Sequence, residues 1–179
     1  IFAVVGCLIF SYRVWHSARL IRMLPPLSVD SLLATVNDFS QRLQMSAPRI
    51  VTGQRCCASS MGSPSLVVPD GFECWPLVSQ RSVIAHELVH LARRDDRFMV
   101  AMQFLARWYF FCPWLHALYT RFVDAIEEAC DERAAELLGS RTLYLEGLAE
   151  AAIRDGGAGY LRSDSEPNVS AEKLATTRE

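Results

Sequence analysis

The stretch AHELVHLARRDD, Ala85 to Asp96, sets two histidines four residues apart with a glutamate directly after the first. On an α-helix, residues i and i+4 lie one above the other on one face. The imidazoles of His86 and His90 therefore converge where each can stand about 2.0 Å from one Zn2+. Glu87 lies one step round the helix, beside such a metal rather than on it, where it can take a proton from water the metal has acidified. Two imidazoles do not complete a site, so this spacing constrains the whole chain: a later segment must return to it.

The segment VDAIEEACDERAAEL, Val123 to Leu137, offers the return. Glu127 and Asp131 are four apart and share one helical face. One carboxylate can ligate the metal while the other, a turn away, accepts a hydrogen bond from the free ring nitrogen of a ligand histidine. Glu128 points elsewhere and reads as a solvated surface charge. His16 and His116 have no partner at metal spacing and read as structural.

Between the two ligand segments runs RFMVAMQFLARWYFFCPWLHALYTRF, Arg97 to Phe122, the most apolar long run of the chain. If the ligands meet at one ion, both ends of this run lie on the same side, which excludes a single membrane crossing. Pro113 divides it into two legs, each too short for the ~30 Å hydrocarbon core at 1.5 Å per residue. A shallow membrane-associated hairpin over about 97–122 satisfies both constraints. Arg107 fits it because an arginine in a true span is costly, and Trp108, Tyr109, Trp114 and Tyr119 suit an interfacial belt. The hydrophobic content of 51% is high for a soluble protein.

The start of the chain is apolar too. IFAVVGCLIF precedes Arg13, Arg19 and Arg22, the reverse of a signal peptide, and reads as the end of a truncated transmembrane helix with a basic cytoplasmic flank over 1–24. After the break at Pro25 and Pro26, Ser28 to Met45 has the periodicity of an amphipathic helix. Pro48 to Pro69 changes to short β-favouring runs and predicts a small antiparallel sheet. Gly71 to Val78 reads as a loop, with Ser79 or Ser82 as N-cap of the histidine helix. A charged helix over Asp124 to Leu138 ends at Gly139, an amphipathic stretch follows over Leu143 to Ile153, and 156–179 reads as a loop-like tail.

Six cysteines show no C-x-x-C pair, which argues against a cysteine zinc site and fits a reduced cytoplasmic setting. The net charge of −2, from 18 basic and 20 acidic residues, gives no field that would draw nucleic acid.

Together, HELVHLARRDD, FFCPWL and EEACDE resemble peptidase family M56, membrane-embedded zinc metallopeptidases that include antibiotic-sensing receptors. The resemblance runs from about Pro48 to Leu138. It implies an α+β, mainly helical gluzincin-type domain over 25–155, with His86, His90 and Glu127 as Zn2+ ligands, Glu87 as catalytic base and Asp131 in support. Arg93 and Asp95 match the family's R-x-D, and Cys130 and Asp131 its C-D. Cys112 stands where the family usually has asparagine before the proline. The expected activity is zinc-dependent endopeptidase cleavage in regulatory signalling, at the cytoplasmic face of the inner membrane. The expected partners are membrane lipid and a protein substrate, either a transcriptional repressor or the peptidase itself, and no nucleic acid. The alternative is a non-catalytic signalling scaffold with a structural metal, against which the intact Glu87 argues. Tyr144, Arg133 and Arg141 are oxyanion-donor candidates by sequence proximity alone.

Overall fold

A computed structural model describes residues 2–53, 56–60, 63–109 and 111–154. The tail expected over 156–179 lies outside the described residues, as do the side chains of Arg13 and Arg107. The architecture is mainly helical α+β. It runs α1 (Phe2–Met23), α2 (Asp30–Arg42), β1 (Arg49–Gly53), β2 (Cys57–Ser59), β3 (Ser65–Pro69), α3 (Leu77–Arg93), α4 (Asp95–Trp108), α5 (Pro113–Leu138) and α6 (Arg141–Arg154), with a 3-10 turn over Phe72–Cys74.

Helix α3 lies at the centre, packed by α6, α5, α2, α4 and β2. That position explains why even its polar residues Ser79, Gln80 and Ser82 are buried. Leu32, Val36 and Phe39 form the inner stripe of α2 and meet Ile50, Leu66 and Val68 of the sheet and Val83, Ile84 and Leu88 of α3 in one core. Ile126, Ala134, Tyr144 and Ala151 close that core from α5 and α6. Helix α6 approaches closely because residue 147 is glycine: a Cβ there would collide with the Ser82 side chain and come within 2.7 Å of the Val78 carbonyl.

The sheet is mixed, not the antiparallel one expected. Its order is β1-β3-β2, with β1 parallel to β3 and β2 antiparallel to it. Ser65 to Val68 are all buried, the continuous pattern of a central strand, so β3 inserts between the other two and β2 is left as an edge. The histidine helix also starts earlier than expected. Its N-cap is Pro76, not Ser79 or Ser82. Ser79 instead donates to Glu150 at 3.1 Å, and the Gln80 amide holds the preceding turn by donating to the Glu73 and Trp75 carbonyls.

The run 97–122 does fold back on itself. Phe98 and Phe122 stack with ring centroids 4.8 Å apart, and the Gln103 amide donates to the Tyr119 hydroxyl at 2.9 Å. Its second leg is not a separate short helix, however. Pro113 opens α5, which continues unbroken through the charged segment to Leu138. Proline is well suited to the first helical turn, where its missing N–H has no partner to lose, and no proline or glycine follows before Gly139. Gly139, at φ 79°, caps the end as expected.

Helix α1 packs on α4, and Arg49 ties its end to β1 by donating to the carbonyls of Ile21, Arg22 and Leu24 at 3.3, 3.2 and 2.9 Å. Among the described residues, no helix is long and apolar enough to cross a membrane.

Candidate metal centre

Helix α3 presents His86 and His90 on one face, and α5 crosses it with Glu127 and Asp131 turned toward them. The two Nε2 atoms stand 3.1 Å apart. Glu127 Oε2 lies 3.4 Å from His86 Nε2 and 3.7 Å from His90 Nε2. Two ligand atoms at 2.0–2.1 Å from one zinc at a tetrahedral angle would be about 3.3 Å apart, so this triangle has the size a tetrahedral ion needs.

The outer nitrogens are anchored separately. His86 Nδ1 lies 3.1 Å from Asp131 Oδ1 and 2.9 Å from the Tyr144 hydroxyl, which itself donates to Asp131 at 2.6 Å. His90 Nδ1 lies 3.0 Å from Asp95 Oδ2. An ionised carboxylate only accepts, so each pairing makes Nδ1 the donor and turns Nε2 inward, toward the place an ion would take.

The sequence model of the family described as BlaR1 peptidase M56 matches residues 1–154. The chain belongs to this peptidase family. No curated protein matches it.

The charge balance of the M56 site is that of a cation site. Burial disfavours the His86 imidazolium, but hydrogen bonds to Asp131 and Glu127 outweigh it and raise the group to about 10. His90 is raised likewise against burial, chiefly by Glu127. The hydrogen bonds from the two imidazoles hold Glu127 well below the usual carboxylate range. Without an ion, the carboxylates draw protons onto the histidines; a divalent cation satisfies the same field. Glu87 is 9% exposed, and burial raises its pKa although both histidines and the Ala58 N–H of β2, which it accepts, pull the other way. A carboxylate shifted toward neutrality is the better proton acceptor.

His90, Asp95 and Cys130 form a second group within metal-binding distances. Its chemistry is that of a support. Burial and Asp95 push the Cys130 thiol far up, so it stays protonated and donates to Asp95 Oδ2 at 3.3 Å. The Arg93 guanidinium, 3.2 Å from the same oxygen, already supplies the positive charge.

His86, Glu87, His90, Glu127 and Asp131 are thus brought together, whereas Glu128 is exposed as expected. His116 donates to the Cys112 carbonyl at 3.1 Å and His16 lies against Tyr12, both away from the cluster. Of the oxyanion candidates, Tyr144 reaches the Nδ1 side of His86, behind the ring, and Arg133 pairs with Glu136 at 2.7 Å. Arg141 is exposed at the start of α6.

Sequence spacing missed the support that Asp95 gives His90. In a continuous helix, a residue five positions on would point about 140° away from His90. Arg94 is in the left-handed region, at φ 60° and ψ 39°, which ends α3 and turns Asp95 back. Only the run of charge in ARRDD hinted at a break.

Proposed function

We propose that this M56 metallopeptidase is a zinc-dependent endopeptidase in which His86, His90 and Glu127 hold the ion and Glu87 is the general base. The observation that carries the reading is the convergence of two Nε2 atoms and Glu127 Oε2 while a carboxylate holds each Nδ1. Two imidazoles and one carboxylate with a fourth position left to water is a donor set that suits catalytic zinc. Bound there, zinc supplies Lewis acidity that polarises a peptide carbonyl and acidifies water. Glu87 accepts a proton from the attacking water as oxygen bonds to the carbonyl carbon, then returns it to the amine nitrogen as the C–N bond breaks. Asp131 and Asp95 hold the imidazoles in one tautomer throughout.

Strand β2 supports a substrate position. It is a sheet edge packed against α3, with Ala58 in hydrogen-bond contact with Glu87. An extended peptide laid along such an edge would pair by backbone hydrogen bonds beside the base.

The membrane part of the reading rests on exposed apolar side chains, most of them aromatic. Trp108, Tyr109, Phe111, Trp114, Leu118 and Phe122 crowd the hairpin of α4 and α5, with Trp114 82% exposed. A patch of this kind needs a nonaqueous partner, and we assign it to the lipid surface of the cytoplasmic membrane. The substrate class is then a regulatory protein reached at that surface, a transcriptional repressor or the peptidase itself.

The test compares wild type with Glu87→Gln for zinc content and cleavage of a peptide library. The variant should keep the metal and lose at least about 100-fold in kcat, the usual contribution of a general base. Cleavage at the wild-type rate would remove Glu87 from this role; a metal-replete wild type that cuts nothing would favour the scaffold.

A further inference from the structure

In an antiparallel pair, successive residues turn their backbone N–H and C=O alternately toward the neighbouring strand and away from it. Ala58 stands opposite Leu66 of β3, and Ser60, two residues on, turns its N–H and C=O away from β3 toward α4. The outward-facing backbone groups of β2 are therefore those of Ala58 and, one alternation on, those of Ser60. At Ser60 they are already held by side chains. Its N–H donates to Asp96 Oδ2 at 2.7 Å, and its carbonyl accepts from Arg97 Nη2 at 2.9 Å. Its hydroxyl donates to Asp96 Oδ1 at 2.6 Å and accepts from Arg97 Nε at 3.0 Å. Ser60 is 5% exposed. Both holding residues come from the first turn of α4, directly after Asp95, and the chemistry above uses neither.

We propose that Asp96 and Arg97 set substrate specificity by ending the pairing edge of β2 at Ser60. A bound peptide pairs with the strand at the Ala58 carbonyl, beside Glu87, and gains no backbone bonds past that point. The enzyme then reads only a short stretch of chain on that side of the scissile bond. The inference rests on the proteolytic reading and on β2 as the substrate edge.

The test takes zinc-loaded wild type and the double variant Asp96→Ala, Arg97→Ala against peptides that share one cleavage site and are lengthened residue by residue on either side. For wild type, kcat/KM should stop rising early on one side. In the variant, lengthening on that side should add a further 2- to 10-fold or so, the worth of newly available backbone hydrogen bonds, expressed in KM. The other side should keep its wild-type profile, and zinc content should not change. Hydrogen exchange on the free protein supplies a second readout: the Ser60 amide is protected in wild type and exchanges fast in the variant. If the double variant does not fold, Arg97→Gln alone frees the Ser60 carbonyl and should show the same one-sided gain. Identical length profiles in wild type and variant overturn the proposal, as does an equal fall in kcat and zinc content for every peptide. Failure of wild type to cleave any peptide overturns the proteolytic reading, and this inference with it.

Discussion

Helix α5 is one continuous element with two unlike halves. From Pro113 to Phe122 its apolar residues face outward, with Trp114 82% exposed; from Val123 onward the apolar residues turn inward and Cys130 is 0% exposed. The first half pairs with α4 through Phe122 and Tyr119, and the second packs on α3 and α6 and carries Glu127 and Asp131. One helix therefore joins an exposed apolar face to the cluster of histidines and carboxylates. The lesson is that apolar content in this chain does two separate jobs, and only burial distinguishes them.

That contrast can be broken most forcefully at its outer half. Phe111→Ser with Trp114→Ser should lower partitioning onto anionic phospholipid vesicles by roughly 100-fold or more, since each ring contributes about 2 kcal/mol when taken out of water. Zinc stoichiometry should stay as in wild type. Unchanged vesicle binding would leave the aromatic face without its proposed partner.

A change to the inner half should do the reverse. Asp95→Asn weakens the acceptor on His90 Nδ1 and should reduce zinc affinity about 10- to 100-fold in chelator competition, with vesicle binding unaffected. Full wild-type affinity would reduce Asp95 to a helix-terminus residue with no effect on the metal. The difference between Asp95 and Asp131 also marks how far the sequence could be read. Helical spacing put His86 with His90 and Glu127 with Asp131, and the resemblance to the M56 family joined the two pairs; all four sit inside regular helices. Asp95 depends on one left-handed residue, Arg94, which no periodicity announces. The helices were legible from their apolar spacing, but two other features were not. The parallel pairing of β1 with β3 depends on a long-range insertion, and Pro113 is as compatible with a helix start as with a break.

The smallest expected effect concerns protons in the inner half. In metal-free protein His86 titrates near 10, against about 6.5 for an unfolded histidine, so the folded state holds the proton more tightly. The resulting stability is complete below about 6.5 and is lost as pH rises through the folded value. The melting temperature of metal-free protein should therefore fall between pH 7 and about 10, and His86→Gln should remove that component. A slope identical in the variant would place its origin elsewhere.

The most direct test of the central claim is the metal content of wild type, His90→Ala and Glu127→Ala after equal exposure to zinc and dialysis against a weak chelator. One zinc per wild-type chain and a large loss in both variants are expected, although their ligands come from different helices. Stoichiometric zinc retained by both variants would contradict it.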